Sequence, residues 1–128
     1  MSSSRISVPS YKPIPPVKRS CTTVRLTEKQ FYSLPKLKEG IGCPSLASTV
    51  LTCIHQLFDD MQNNLCSPEE YIPTTEPNPF TFNFSVSEED RIELAELKCF
   101  YGMRTNSQLI GFILDKYADA LESRKAVM

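Results

Sequence analysis

The sequence predicts a mainly helical fold built on a two-stranded antiparallel β-ribbon, and three observations predict it. The prolines gather in two clusters that leave two blocks of chain between and after them. The second block opens on a run that alternates apolar and polar residues at period two, then changes to helical spacing. The first block repeats that order more roughly. With 128 residues, 41% hydrophobic and 23% charged, the chain has room for one ordinary domain or two very small ones.

The elements follow from the N-terminus onward. Pro9, Pro13, Pro15 and Pro16 keep residues 1–20 extended, because each fixes φ and removes a backbone donor. That segment carries Arg5, Lys12, Lys18 and Arg19 and no acid, which reads as a disordered basic arm, either touching a polyanion or serving as a solubilising tail. Residues 21–64 form a first module. There Thr22, Val24 and Leu26 alternate with Cys21, Thr23 and Arg25 in a strand, and Thr27-Glu28 starts a helix. Pro35 falls inside that helix and is expected to kink or shorten it, while Pro44 suits the first position of the helix that follows.

Pro68, Pro73, Pro77 and Pro79 mark residues 65–79 as a linker, made acidic by Glu69, Glu70 and Glu76. Residues 80–123 form the second module. Phe80, Phe82, Phe84 and Val86 share one face of a strand, and Thr81, Asn83 and Ser85 share the other. Ser87 reads as an N-cap, followed by Glu88, Glu89 and Asp90 in a first turn where the helix dipole favours acids and where they form a solvated surface. Gly102 ends this helix after Tyr101. Thr105, Asn106 or Ser107 caps a second helix, whose Leu109, Ile110, Ile113, Leu114, Tyr117 and Leu121 form one stripe. Residues 124–128 are a tail.

A slide of sixty residues lays Leu26 on Val86, Thr27 on Ser87, Leu34 on Leu94 and Leu37 on Leu97. A slide of sixty-three lays Leu46 on Leu109, Val50 on Ile113, Ile54 on Tyr117 and Phe58 on Leu121. The change of three falls where a turn belongs, which suggests an internal duplication with a variable loop. A strand in a forty-residue unit cannot satisfy its own backbone, so residues 21–27 are expected to pair antiparallel with residues 80–86. Sequence leaves open whether the two strands pair within one chain or between chains.

Several classes are disfavoured. Fourteen Lys+Arg against fifteen Asp+Glu leave a net charge of −1, unlike a uniformly basic nucleic-acid binder. Five cysteines without Cys-x-x-Cys spacing, and one histidine, give neither a disulfide framework nor a metal signature, so neither metal nor cofactor is expected. Cys53 and His55 point about 200° apart on a helix, too far round for a nucleophile and its base, and an enzyme is not expected. No run reads as a secretory signal or a membrane span, which points to a cytoplasmic, reducing setting.

The strand Thr81-Phe82-Asn83-Phe84-Ser85-Val86, the cap Ser87-Glu88, the turn Gly102-Met103-Arg104-Thr105-Asn106-Ser107 and the helix opening Gln108-Leu109-Ile110 resemble a ribbon-helix-helix module of the MetJ/Arc type. The resemblance spans roughly residues 21–62 and 80–122, more weakly in the first. It implies two such modules forming a pseudo-dimer that lays its ribbon in the major groove of double-stranded DNA. By it, the outward residues Cys21, Thr23, Arg25, Thr81, Asn83 and Ser85 read bases, with Arg25 suited to guanine and Asn83 to adenine. It also implies a phosphate at the start of each second helix, held by Arg104, Thr105, Asn106 and Ser107 in one module and by Ser45 in the other. Lys18 and Arg19, just before the first strand, are placed to reach phosphates on the flank.

The two ribbon faces differ in chemistry, so a single chain would read an asymmetric site, or pair with another chain to read a longer one. The resemblance further implies self-association along DNA. The expected function is sequence-specific transcription regulation, most simply repression, in a prokaryotic, plasmid or viral setting. The alternative is an antitoxin-like interaction module that binds a protein partner through its tail or linker.

Overall fold

A computed structural model describes residues 8–11 and 18–127, with side chains as far as Arg124. The elements are β1 (Arg19–Leu26), α1 (Glu28–Ile41), α2 (Leu46–Gln62), β2 (Phe80–Ser87), α3 (Glu88–Tyr101) and α4 (Asn106–Val127). The protein is therefore mainly helical with a two-stranded antiparallel sheet, β1 against β2. Pairing runs from Arg19 opposite Ser87 to Leu26 opposite Phe80, with Thr23 opposite Asn83 at the middle.

Local chemistry sets the helix ends. Thr27 accepts a hydrogen bond from Gln30 N while the Gln30 side chain accepts from Thr27 N, and Ser87 and Asp90 do the same for α3. Both helices stop at a glycine in the left-handed region, Gly42 (φ 88°) and Gly102 (φ 72°), where a Cβ would be strained. Gly42 N and Cys43 N both donate to Lys38 O, and Gly102 N and Met103 N both donate to Lys98 O.

The ribbon's inner face carries Val24, Leu26, Phe84 and Val86 into a core shared by all four helices. The stripe predicted on α4 is buried throughout, from Leu109 to Leu121. Helix α1 packs on α4 and α2 packs on α3, so each half rests its first helix on the other half's second.

Several expectations need correcting. The offset between halves is sixty throughout, not sixty and then sixty-three: Ser45 and Thr105 cap α2 and α4, and these begin at Leu46 and Asn106. Burial follows the same offset, with Val50, Cys53, Ile54 and Leu57 buried where Ile110, Ile113, Leu114 and Tyr117 are. A slide of three turns a helix by only about 60° from register, so either offset lays apolar on apolar. Pro35 does not shorten α1, which has the same 14 residues as α3. Pro44 stands before the N-cap Ser45 rather than inside α2.

The segment boundaries also shift. The first strand begins at Arg19, inside the segment assigned to the arm. Of that arm, residues 1–7 and 12–17 lie outside the described residues, while Pro9 is buried and Val8 packs against the core. Helix α4 runs on to Val127, through most of the segment assigned as a tail. The linker holds a single 3-10 turn, Pro68–Glu70, and is pinned to the body. Lys116 Nζ donates to Glu70 Oε2 (3.0 Å), and Tyr71 meets Phe112 edge to face at 5.6 Å.

Gly111 is needed for close approach. A Cβ there would come 2.7 Å from Gln30 Nε2 and 2.8 Å from Gln30 Oε1. Gln30 cannot yield freely, since it caps α1 and donates to Asp115 Oδ2 at 3.0 Å. Gly111→Ala should therefore lose on the order of 1–3 kcal/mol in urea unfolding despite the better helix propensity of alanine. The loss should shrink when Gln30→Ala is added. A gain in stability from Gly111→Ala alone would contradict this packing.

Candidate nucleic-acid interface

The strand period of two puts Cys21, Thr23, Arg25, Thr81, Asn83 and Ser85 on the outer face, and all six are exposed. They form three cross-strand pairs: Cys21 with Ser85, Thr23 with Asn83, and Arg25 with Thr81. The row from Cys21 to Arg25 extends about 13 Å at strand rise. Thr23 Oγ1 lies 2.6 Å from Asn83 Oδ1 and donates to it, so the amide Nδ2 keeps both protons for an outside acceptor. Arg25 keeps its guanidinium at the surface, with Nε donating to Asn78 O at 3.3 Å.

Helix α4 starts beside this ribbon. Ser107 Oγ accepts from Arg25 N at 2.9 Å, which ties the first turn of α4 to the ribbon edge. Thr105 caps Gln108 N, and Gln108 Oε1 accepts from both Arg104 N and Thr105 N. Among the described residues no side chain takes the N–H of Asn106 or Ser107 in α4, or of Leu46 or Ala47 in α2, so each helix opens with free donors. Ser45, Arg104 and Thr105 are exposed; Asn106 and Ser107 are half-buried.

The expected flanking cations separate. Lys18 is exposed, but Arg19 turns inward, with Nη2 2.9 Å from Asp90 Oδ2 and 3.2 Å from Ser85 O. Asp90 is buried (3% exposed), which corrects its reading as solvated helix surface. The sequence reading also missed Arg91, an exposed cation whose Nη1 donates to Ser20 Oγ at 3.1 Å beside the ribbon. Nothing in helical periodicity reveals that neighbour, because it depends on which strand α3 lies across. Asn78 was missed because the path of a linker has no period. Behind Arg25 a groove of about 270 Å³ runs between linker and α4, with Glu76, Gln30 and Asp115 among its walls. Burial pushes the Asp115 carboxyl above its ordinary range, against the hydrogen bond from Gln30.

Asp90 also joins the halves. His55 on α2 places Nε2 3.2 Å from Asp90 Oδ1 and Nδ1 2.6 Å from Glu93 Oε1. The Nδ1 contact with Glu93 is a hydrogen bond, and two carboxylates flanking the ring favour its protonated form. The Glu93 hydrogen bond raises the His55 pKa above 6.5, burial opposes the rise, and Asp90 and Asp59 add to it.

No family model matches the chain, nor does any curated protein or solved structure. Among the described residues, no single helix is long and apolar enough to cross a membrane.

His55 gives this junction a pH dependence with a definite sign. Its folded pKa exceeds its unfolded one, so its stabilisation is complete below about pH 6.5 and fades as pH climbs through the raised value. Urea midpoints measured from about pH 6 to about pH 9 should fall. Glu93→Gln should flatten that fall, and an unchanged slope in this variant would remove His55 as its source.

Proposed function

We propose that this chain is a sequence-specific double-stranded DNA-binding protein that inserts its ribbon into the major groove. One observation carries the reading: a two-stranded antiparallel ribbon whose inner row is core and whose outer row, Cys21, Thr23, Arg25, Thr81, Asn83 and Ser85, is polar and exposed. Binding of this kind occludes the duplex, so the simplest role is transcription regulation by repression.

The two halves are read as ribbon-helix-helix modules joined as a pseudo-dimer. Three features support that reading: the constant offset of sixty, the crosswise helix packing, and a register centred on Thr23 and its own counterpart Asn83. A two-fold relation between equivalent strands requires one such residue to face its own copy at the axis. Free N–H groups open both α2 and α4, and those of α4 lie beside the ribbon, where a flanking phosphate would run. The linker is engaged with Lys116 and Phe112 of its own chain, which favours duplex binding over an antitoxin-like partner site there. Catalysis has little support, since burial pushes the Cys53 thiol well above its ordinary value and keeps it protonated.

Arg25→Ala and Asn83→Ala should each cost on the order of 1–3 kcal/mol on a duplex selected from a random pool, and relax preference at the contacted base pairs. Titrations against that duplex and scrambled ones would measure both effects. Unchanged affinity and preference in both variants would remove the ribbon as the reading surface. Lys18→Ala should instead weaken all duplexes alike and lower the salt slope by about one, as measured across a potassium chloride series.

A further inference from the structure

We propose that the ribbon reads a non-palindromic duplex site in one orientation, with Arg25 demanding a G·C pair toward one end only. This rests on the duplex-reading function above and specifies its substrate. Under the offset of sixty, the counterpart of Arg25 is Ser85 and the counterpart of Thr81 is Cys21. One end of the outer face therefore presents a guanidinium beside a threonine, and the other presents a serine beside a thiol.

The asymmetry extends beyond the outer side chains. At the centre the Thr23 hydroxyl donates to Asn83 Oδ1, so the amide protons come from one strand only. At the Arg25 end, Ser107 Oγ accepts the backbone N–H of Arg25, whereas the counterpart of Ser107 is Ala47, which has no hydroxyl. Only the Arg25 end carries linker, where Asn78 O accepts from Arg25 Nε. Turning the protein end for end on the duplex would set Ser85 over the guanine. A hydroxyl cannot reproduce the bidentate fork on O6 and N7, and the reversed complex would be weaker by about 10- to 100-fold. Two identical chains must present both ends alike, but one chain holding two unlike strands in a fixed register does not.

The test is selection of bound duplexes from a random pool by the full chain, by Arg25→Ser and by Ser85→Arg, both changes at exposed positions. The unaltered chain should enrich a consensus without two-fold symmetry, carrying a G·C pair on one side. Arg25→Ser should lose that pair and bind the original site about 10- to 100-fold more weakly. Ser85→Arg should gain a second G·C pair at the mirrored position. A palindromic consensus from the unaltered chain, or a Ser85→Arg consensus identical to it, overturns the proposal and leaves ribbon reading in place. Enrichment of no duplex at all removes the proposed function and the orientation with it.

Discussion

The antiparallel pairing of Arg19–Leu26 with Phe80–Ser87 is the constraint on which the rest of the fold depends. Neither strand has another mate in the sheet, and a lone two-stranded ribbon is marginal in water. It persists because its inner face completes a core that the helices cannot close without it. Val24, Leu26, Phe84 and Val86 sit between helices of both halves, and each is at most 4% exposed. Closing the intervening loop costs entropy that grows only slowly with its length, so a long acidic linker is a small obstacle. Because the partner strand is on the same chain, formation of the ribbon is unimolecular.

The same economy of parts is visible at the helix starts. Gln30 and Asp90 occupy the third position of α1 and α3, where each closes a capping box. Each then reaches across to the other half, Gln30 to Asp115 on α4 and Asp90 to His55 on α2. One side chain thereby satisfies a local backbone donor and a long-range contact together. Losing it would leave the N–H of buried Thr27 or Ser87 unpaired, which is the costly kind of loss, and would remove the cross-half contact with it. These junctions couple helix nucleation to assembly of the halves, and the ribbon is stretched between them.

Much of this was legible in the chain. Period two from Phe80 to Val86 is a strong signal because aromatic and β-branched residues fill every second place, and the caps at Thr27, Ser87 and Gly102 use chemistry that serves few other purposes. The outer face was readable for the same reason, since alternation assigns both faces at once. What failed to show was whatever depends on neighbours distant in sequence. The offset of Leu46 and its stripe was ambiguous because helical faces tolerate a slip of three. Arg19 and Asp90 each read as surface charge, and only the strand pairing brings them within 2.9 Å. Val8 and Pro9 were assigned to an arm because proline reports backbone geometry and says nothing of what the ring packs against.

The differences between the halves also bear on which halves can associate. Suppose two copies of the second half paired with each other through the same contacts. Asp90 of one would then face Asp115 of the other, setting two carboxylates together where burial already disfavours charge on Asp115. Two copies of the first half would place Gln30 against His55, replacing a charge-assisted contact with a neutral acceptor and leaving Arg19 without its carboxylate. The unlike pairing avoids both faults, joining Asp90 to His55 and Arg19, and Gln30 to Asp115. Specificity of this sort comes as much from what the wrong combination would bury as from what the right one gains. With the halves distinguished at the junction, the two strands between them need not be alike, and Arg25 and Ser85, sixty residues apart, differ in chemistry.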